Sequence, residues 1–589
     1  MAIKIVLKKT KAKAKAKAKK KKKAVLLPDQ KAALKLKNDH RTLVRRVFAR
    51  TGFHRIADVS DKEFTFDNRT TDFDDVFVYE NVIVLTEYTT AQSSNVGDHL
   101  KNKKIVYDKI ISSQQPFLTF LKTKFPNAAA YLASKYHPSL VIIKILYCSR
   151  YDFDQNHKTN VPGPVYLDYP ALRYFGVVTN AIKCSARYEF LHFMGVDLLK
   201  VGTDGAIPVG TSSHNYTGSI LPEAHSNFDD GFKVVSFYAD ADALLRTCYV
   251  LRKDGWHNSE NLYQRMISTR KIESIRTYLK TQKRVFINNI IVTLPSDVHP
   301  LNDKNQTIDT KALVNTAPVK IQIPSRANSI GIIDGQHRVF AYHQTAPDDS
   351  EIALLRLQQN LLVTGIIYPP NIHEIDREKF EARLFLEINS TQTNAKPDLK
   401  QAIGLVIAPF SNESVAARVL SGLSKVGPLA NFMEQNFYDV GKLKTASIVS
   451  YGLRPLVKMS GNDSLFSIWQ HADKGAVANA TNSQALQEYT DFCVSKINST
   501  LGSIRRNLAP ARWTANRKIQ DRVISTTYIN SFLIVIRMLI ERGTDLEHEA
   551  LAKKFAKIGQ FDFSAYRSSQ YNRMAEKIVT TYFGPGKVT

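Results

Sequence analysis

The polar groups best placed to do chemistry lie between Ile332 and Tyr342, in the run IIDGQHRVFAY. Two apolar residues lead into Asp334-Gly335, and Val339, Phe340 and His343 then resume at helical spacing, which predicts a buried strand, a tight turn and a helix start. At the turn itself, Gly335 allows a positive φ or a close approach to the backbone. A helix starting there points free N–H groups at whatever lies above the turn, an arrangement that favours phosphate. His337 and Arg338 add a switchable and a permanent cation, and Asp334 suits a metal ion or the orientation of His337. A purely structural turn would carry the same local pattern, so both readings stay open at this level.

The same stretch resembles the signature of the DGQHR-domain family without a mismatch, and that family is similar in fold to the ParB and sulfiredoxin superfamily. Gly335, Arg338 and Ala341 match ParB's Gly-x-x-Arg-x-x-Ala phosphate box. Gly335-Gln336-His337-Arg338 resembles sulfiredoxin's Gly-Cys-His-Arg with Gln336 in place of the reactive cysteine. The resemblance implies an ATP or CTP site with Mg²⁺, Gly335, His337 and Arg338 holding phosphates, and Asp334, Gln336 and His337 near the reacting groups. It argues against sulfiredoxin chemistry, because the nucleophilic sulfur is missing. The stretch from Phe232 through Val292 resembles the front half of such proteins, where Gln264 and Arg265 either reach phosphate or form a surface pair. Downstream, Glu387-Ile388-Asn389 resembles ParB's third box, although the family arginine is not evident. That likeness implies Glu387 at the nucleotide's metal and Asn389 beside the phosphates; the alternative for Asn389 is a helix C-cap.

A second pair of acids precedes these. Asp74-Asp75 opens the run VFVYENVIVLTEYT, in which Val76–Tyr79 and Val82–Leu85 flank a Glu80-Asn81 turn as a hairpin. An amphipathic helix over 38–51 comes before it and another over 96–111 follows. This order resembles the core of PD-(D/E)xK nucleases, in which an Asp and a Glu-x-Lys gather Mg²⁺ and activate water. The resemblance implies metal ligation by Asp75, or its neighbour Asp74, and by Glu87. The third position is Thr89, not lysine. Lys101, Lys103 and Lys104 on the next helix are the available replacements, and spacing does not select among them. The expectation is a degenerate nuclease core used for DNA binding or assembly, with an active nuclease as the alternative.

At 589 residues the chain exceeds what one core supports and suggests several domains. The formal charge is +27, and residues 1–23 hold twelve lysines and no acid. A lysine-alanine tail repels itself and suits a polyanion, so Lys11, Lys13, Lys15, Lys17 and Lys19 are assigned to DNA backbone. Near the other end, Arg505, Arg506, Arg512 and Arg517 surround Trp513, a composition that fits phosphates and a stacked base as well as a solvated face. Four scattered cysteines without C-x-x-C spacing argue against zinc and disulfides. No apolar run reaches the ~20 residues of a membrane span, and no signal-peptide pattern is present, so a cytoplasmic or nucleoid location is expected.

The expected fold is α/β and α+β in several domains: a basic tail over 1–28, a restriction-nuclease-like domain with linker over 29–231, a ParB/sulfiredoxin-like DGQHR domain over 232–427, and a mainly helical region over 428–589. Residues 202–227, rich in Gly, Ser and Thr, read as loop. The resemblance implies a DNA-associated nucleotide hydrolase or switch in a bacterial DNA-modification or defence system. Its partners would be DNA, further copies of the chain and proteins of that system, with no membrane. A non-enzymatic DNA-binding regulator with a structural DGQHR turn is the main alternative.

Overall fold

The computed structural model describes residues 27–132, 136–202, 213–252, 256, 264, 266–324, 326–392, 397–436 and 438–585. The protein is a mixed α/β chain with several mixed sheets and a helical C-terminal region. Lys11, Lys13, Lys15, Lys17, Lys19 and Arg265 lie outside the described residues.

The first helix runs Pro28–Arg50, ten residues earlier than its apolar stripe predicts. Pro28 occupies the first helical position and the Gln30 side chain accepts from the Leu27 N–H at 3.1 Å, so a solvated first half needs no apolar face. Beyond it, Val44, Val47 and Phe48 are fully buried, and the Phe48 ring stacks on Phe77 with centroids 3.9 Å apart. Each such ring removes enough apolar surface from water to contribute about 1.5–3 kcal/mol.

The N-terminal sheet has the order His54–Arg55, Asp75–Tyr79, Val82–Thr89, Ile142–Ser149, Val165–Leu167. Its first three strands pair antiparallel and the last two join in parallel. The helices Gly97–Ser112 and Gln114–Lys124 cover one face with Val76, Val78, Ile83 and Leu85 beneath them. On the other face Phe77, Val82 and Val84 meet the helices Pro28–Arg50 and Tyr169–Ile182.

A larger sheet of eight strands follows, in the order Cys248–Tyr249, Ile330–Asp334, Ile290–Leu294, Asn360–Ile367, Lys233–Asp240, Ser213–Ile220, Ala317–Pro324, His299–Leu301. Ser213–Ile220 corrects the expected loop: it pairs along its full length with Ala317–Pro324. Alternation sorts the two faces. Ile332, Val292, Val363 and Val235 join the same core as the helix layer of the N-terminal sheet, so one apolar cluster runs through both sheets. Ile333, Ile366 and Val234 face the other way, under the helix Glu374–Gln392 and its successor Pro397–Ile407. The helical region packs around a separate core that begins at Val415. Among the described residues no single helix is long and apolar enough to cross a membrane.

Gly331 sits at a tight point of the large sheet. A Cβ there would lie 2.5 Å from Thr293 Oγ1, 2.7 Å from Glu381 Oε1 and 2.9 Å from Tyr249 Oη. Gly331→Ala should therefore destabilise the protein by about 1–3 kcal/mol through overpacking. A urea midpoint equal to that of wild type would contradict the close packing described.

Candidate functional site

The strand Ile330–Asp334 does feed a left-handed Gly335, φ +102°, and a helix, but that helix spans only Gln336–Phe340. The polar side chains of this loop are largely committed to the protein itself. Arg338 Nη2 donates to Asp334 Oδ2 and to the Asn289 carbonyl, both at 2.7 Å, while its buried Nε has no hydrogen-bond partner among the described residues. His337 Nε2 accepts from the Ser268 N–H at 3.1 Å. Burial, then the charges of Lys271 and Arg252, push its pKa down to about 4, so His337 is neutral near pH 7 and does not supply the expected switchable cation.

Gln336 is buried and bridges two residues far away in sequence. Its Nε2 donates to Gln264 Oε1 at 3.1 Å and its Oε1 accepts from Arg252 Nε at 3.3 Å. Gln264, 1% exposed, turns inward to the Ile332 carbonyl instead of toward a phosphate. Arg252, also 1% exposed, donates to Tyr174 Oη at 2.8 Å and meets Glu189 Oε2 at 3.2 Å. Sequence reasoning missed Arg252, Tyr174 and Glu189, because nothing local marks partners separated by 63 to 84 residues.

Glu387 is exposed, and Asn389 donates to the Phe385 carbonyl at 2.9 Å inside a helix that continues to Gln392, so Asn389 is not the C-cap. The inward acid of this helix is Glu381, 1% exposed, whose Oε1 accepts from Tyr368 Oη at 2.6 Å, Thr293 Oγ1 at 2.7 Å and Tyr249 Oη at 3.0 Å. Its spacing from Leu384, Phe385 and Ile388 was a readable sign that it shares their face.

The two acids of the N-terminal sheet divide by strand alternation. Asp75 pairs in register with Thr86, which places Asp74 opposite Glu87 on the other face. Asp75 is a correction: fully buried, it accepts from Arg45 Nε at 2.7 Å, Tyr88 Oη at 2.8 Å, Arg55 Nη1 at 3.0 Å and Ser60 Oγ at 3.0 Å. Burial raises its pKa, but these donors outweigh that and hold the carboxyl below the usual range. Its lone pairs are thus occupied by side chains of the protein; alternation puts Asp74 on the face of Glu87, with its Oδ1 3.5 Å from Arg41 Nη2.

Glu87 is 5% exposed and meets Lys103 Nζ at 2.7 Å. Lys103 comes from the helix Gly97–Ser112 and also reaches Asp72 Oδ1 at 2.9 Å. The cation missing at Thr89 is thereby supplied from another element. Burial pushes the Glu87 pKa up to about 8 against the opposing pull of Lys103, with Asp74 and Asp72 adding to the rise. Asp74 is raised mainly by burial, and its Oδ2 accepts from the Tyr88 N–H at 2.8 Å. The Tyr107 hydroxyl, fully buried and within the field of Glu87, has no hydrogen-bond partner among the described residues. Two carboxylates with a lysine fit a hard cation with oxygen ligands; among the described residues no three His, Cys, Asp or Glu groups form a metal cage.

The arginine cluster also divides. Arg505 and Arg517 are exposed, and Arg506 pairs with Glu549 at 2.7 Å. Arg512 donates to the Gly559 carbonyl at 2.7 Å, and Trp513, 6% exposed, donates to the Pro428 carbonyl at 2.8 Å. Trp513 is therefore part of the core and offers no face to a base.

Asp75→Ala should cost about 3 kcal/mol, the low end for breaking a buried pair, since Arg45 and Arg55 reach solvent; an unchanged unfolding midpoint would contradict the clamp. Glu87 keeps its proton in the folded protein up to about 8, whereas the unfolded chain releases it near the ordinary 4.5. Stability therefore falls as pH rises through that window and levels off above it. Glu87→Gln cannot ionise, so its melting temperature should fall less than that of wild type across the same window; parallel curves would refute the assignment. In comparisons with known proteins, no family model, no curated protein and no solved structure matches the chain.

Proposed function

We propose that the protein is a DNA-associated, divalent-metal-dependent phosphodiesterase, with a restriction-nuclease-like N-terminal module and a ParB/sulfiredoxin-like central module. The observation that carries this reading is the 2.7 Å contact between Lys103 Nζ and Glu87 Oε1, which returns a cation to the acid pair that Thr89 leaves without one. Asp74 and Glu87 would hold Mg²⁺, and the ion would polarise a phosphoryl oxygen and lower the pKa of a bound water. Lys103 then has two tasks: it offsets the charge of Glu87, and it stands ready to stabilise charge developing at the phosphorus. Glu87 must release its proton before it can ligate, so activity should climb as pH approaches about 8. The basic balance of the chain, +27 overall, supports a nucleic acid as the substrate class.

A second reading is a nucleotide switch at Asp334–Arg338, attached to a bacterial DNA-modification or defence system. One observation favours it: among the described residues the buried Nε of Arg338 lacks a partner, so the guanidinium has a donor to spare for a phosphate oxygen. Transfer of Arg338 from Asp334 to an ATP or CTP phosphate would free Asp334 for Mg²⁺.

Plasmid incubated with protein and Mg²⁺ or Mn²⁺ tests the first reading. Nicking or cleavage is expected, reduced about 100-fold or more by Glu87→Ala and by Lys103→Ala, and an inert wild-type protein would sink it. Calorimetry with ATP, CTP and GTP tests the second: binding should be lost in Arg338→Ala, and wild type that binds none of the three, with Mg²⁺ and DNA present, removes the nucleotide reading.

A further inference from the structure

We propose that a groove in the helical C-terminal region binds a single strand of nucleic acid, separately from the acid pair of the N-terminal sheet. The groove, about 640 Å³, lies between the helix His548–Lys554 with its following turn and the helix Tyr571–Phe583. Lys553, Lys554, Lys557 and Lys577 line it, all four exposed. Among the described residues none of the four forms an ion pair. The one acid in the lining, Asp562, spends its Oδ1 on the N–H and hydroxyl of Ser564. From 550 to 585 the chain carries six Lys or Arg residues against two acids.

Helix-end electrostatics account for only part of this. Lys553 and Lys554 end a helix, where cations favour the dipole, but Lys557 lies beyond that helix and Lys577 belongs to another. Bringing four ammonium groups to one concave surface costs mutual repulsion and focuses a positive potential there, which polyanionic backbone would relieve. The floor favours unpaired bases over a duplex. Phe561 and Tyr566 are half-buried and lie almost parallel, 8° between planes with centroids 5.8 Å apart, and Tyr582 lines the same groove. Partly exposed rings between lysines offer stacking to splayed bases, whereas a duplex hides its base faces and would use the lysines alone.

The test uses the full chain and a dye-labelled oligothymidine of about 15 nucleotides, followed by fluorescence anisotropy across a salt series. Substituting Lys553→Gln, Lys554→Gln, Lys557→Gln and Lys577→Gln together should leave the melting temperature unchanged, because the side chains are exposed. It should weaken single-strand binding about tenfold or more at physiological salt and make the log–log salt slope shallower by about 2–3. Tyr566→Leu should weaken single-strand binding and leave duplex binding unchanged, because only unpaired bases use the rings. Because the lysine tail also attracts the probe, photo-crosslinking of a 5-iodouracil strand gives an independent reading: adducts are expected within 561–582. Unchanged affinity, adducts confined to 1–26, an equal loss for duplex in Tyr566→Leu, or a loss seen instead with phosphatidylserine vesicles would each overturn the proposal. Binding is read here and cleavage is not, so failure would leave the reading of Asp74, Glu87 and Lys103 untouched.

Discussion

A carboxyl group taken almost wholly out of water must keep its proton or find a cation, and Glu87 stands between these outcomes. Burial drives its pKa to about 8, while Lys103 Nζ, 2.7 Å away, pulls the other way. The contact ties the helix Gly97–Ser112 to the strand Val82–Thr89 at the point where the sheet leaves its apolar cover. Strand alternation does the remaining sorting. Asp74 falls on the side of Glu87 and its immediate neighbour Asp75 on the other, under Arg45 and Arg55. Two adjacent acids thereby acquire opposite roles: Asp75 is an ionised anchor of the fold, and Asp74 remains beside a site with a lysine and a protonatable glutamate.

A second buried charge organises the centre of the molecule. Arg252 draws Tyr174 and Glu189 from one part of the chain and Gln336 from another into a single hydrogen-bonded cluster. Removing any partner would leave a buried guanidinium short of acceptors, which is costly in a low dielectric. The cluster explains why the Asp334–Arg338 loop, so suggestive as a string of residues, has its glutamine buried, while burial, Lys271 and Arg252 together keep its histidine neutral. Polar residues beside a positive-φ glycine serve packing here as much as they could serve a ligand.

Much of the framework was legible because it rests on local signals. The hairpin around Glu80-Asn81, the strand–Gly335–helix turn and the helix from Glu374 all follow from short-range periodicity and turn chemistry. What escaped is long-range. Lys103 could not be selected from Lys101 and Lys104 until helix and strand were docked, and Arg252 had no local mark at all. Ser213–Ile220 looked like a loop because its small polar residues are those of a half-buried strand whose partner, Ala317–Pro324, lies about a hundred residues away. Trp513 misled for the opposite reason: flanking arginines suggested a surface, while its indole donates to the Pro428 carbonyl in the core.

Direct metal binding tests the central claim without depending on the choice of nucleic-acid substrate. Calorimetric titration of Mn²⁺ into the protein over a pH series should reveal one site. Its affinity should rise with pH until Glu87 is ionised near about 8, with proton release below that point. Asp74→Asn and Glu87→Gln should each abolish the heat of binding. Absence of Mn²⁺ binding by wild type, or binding that survives both substitutions, would contradict the account.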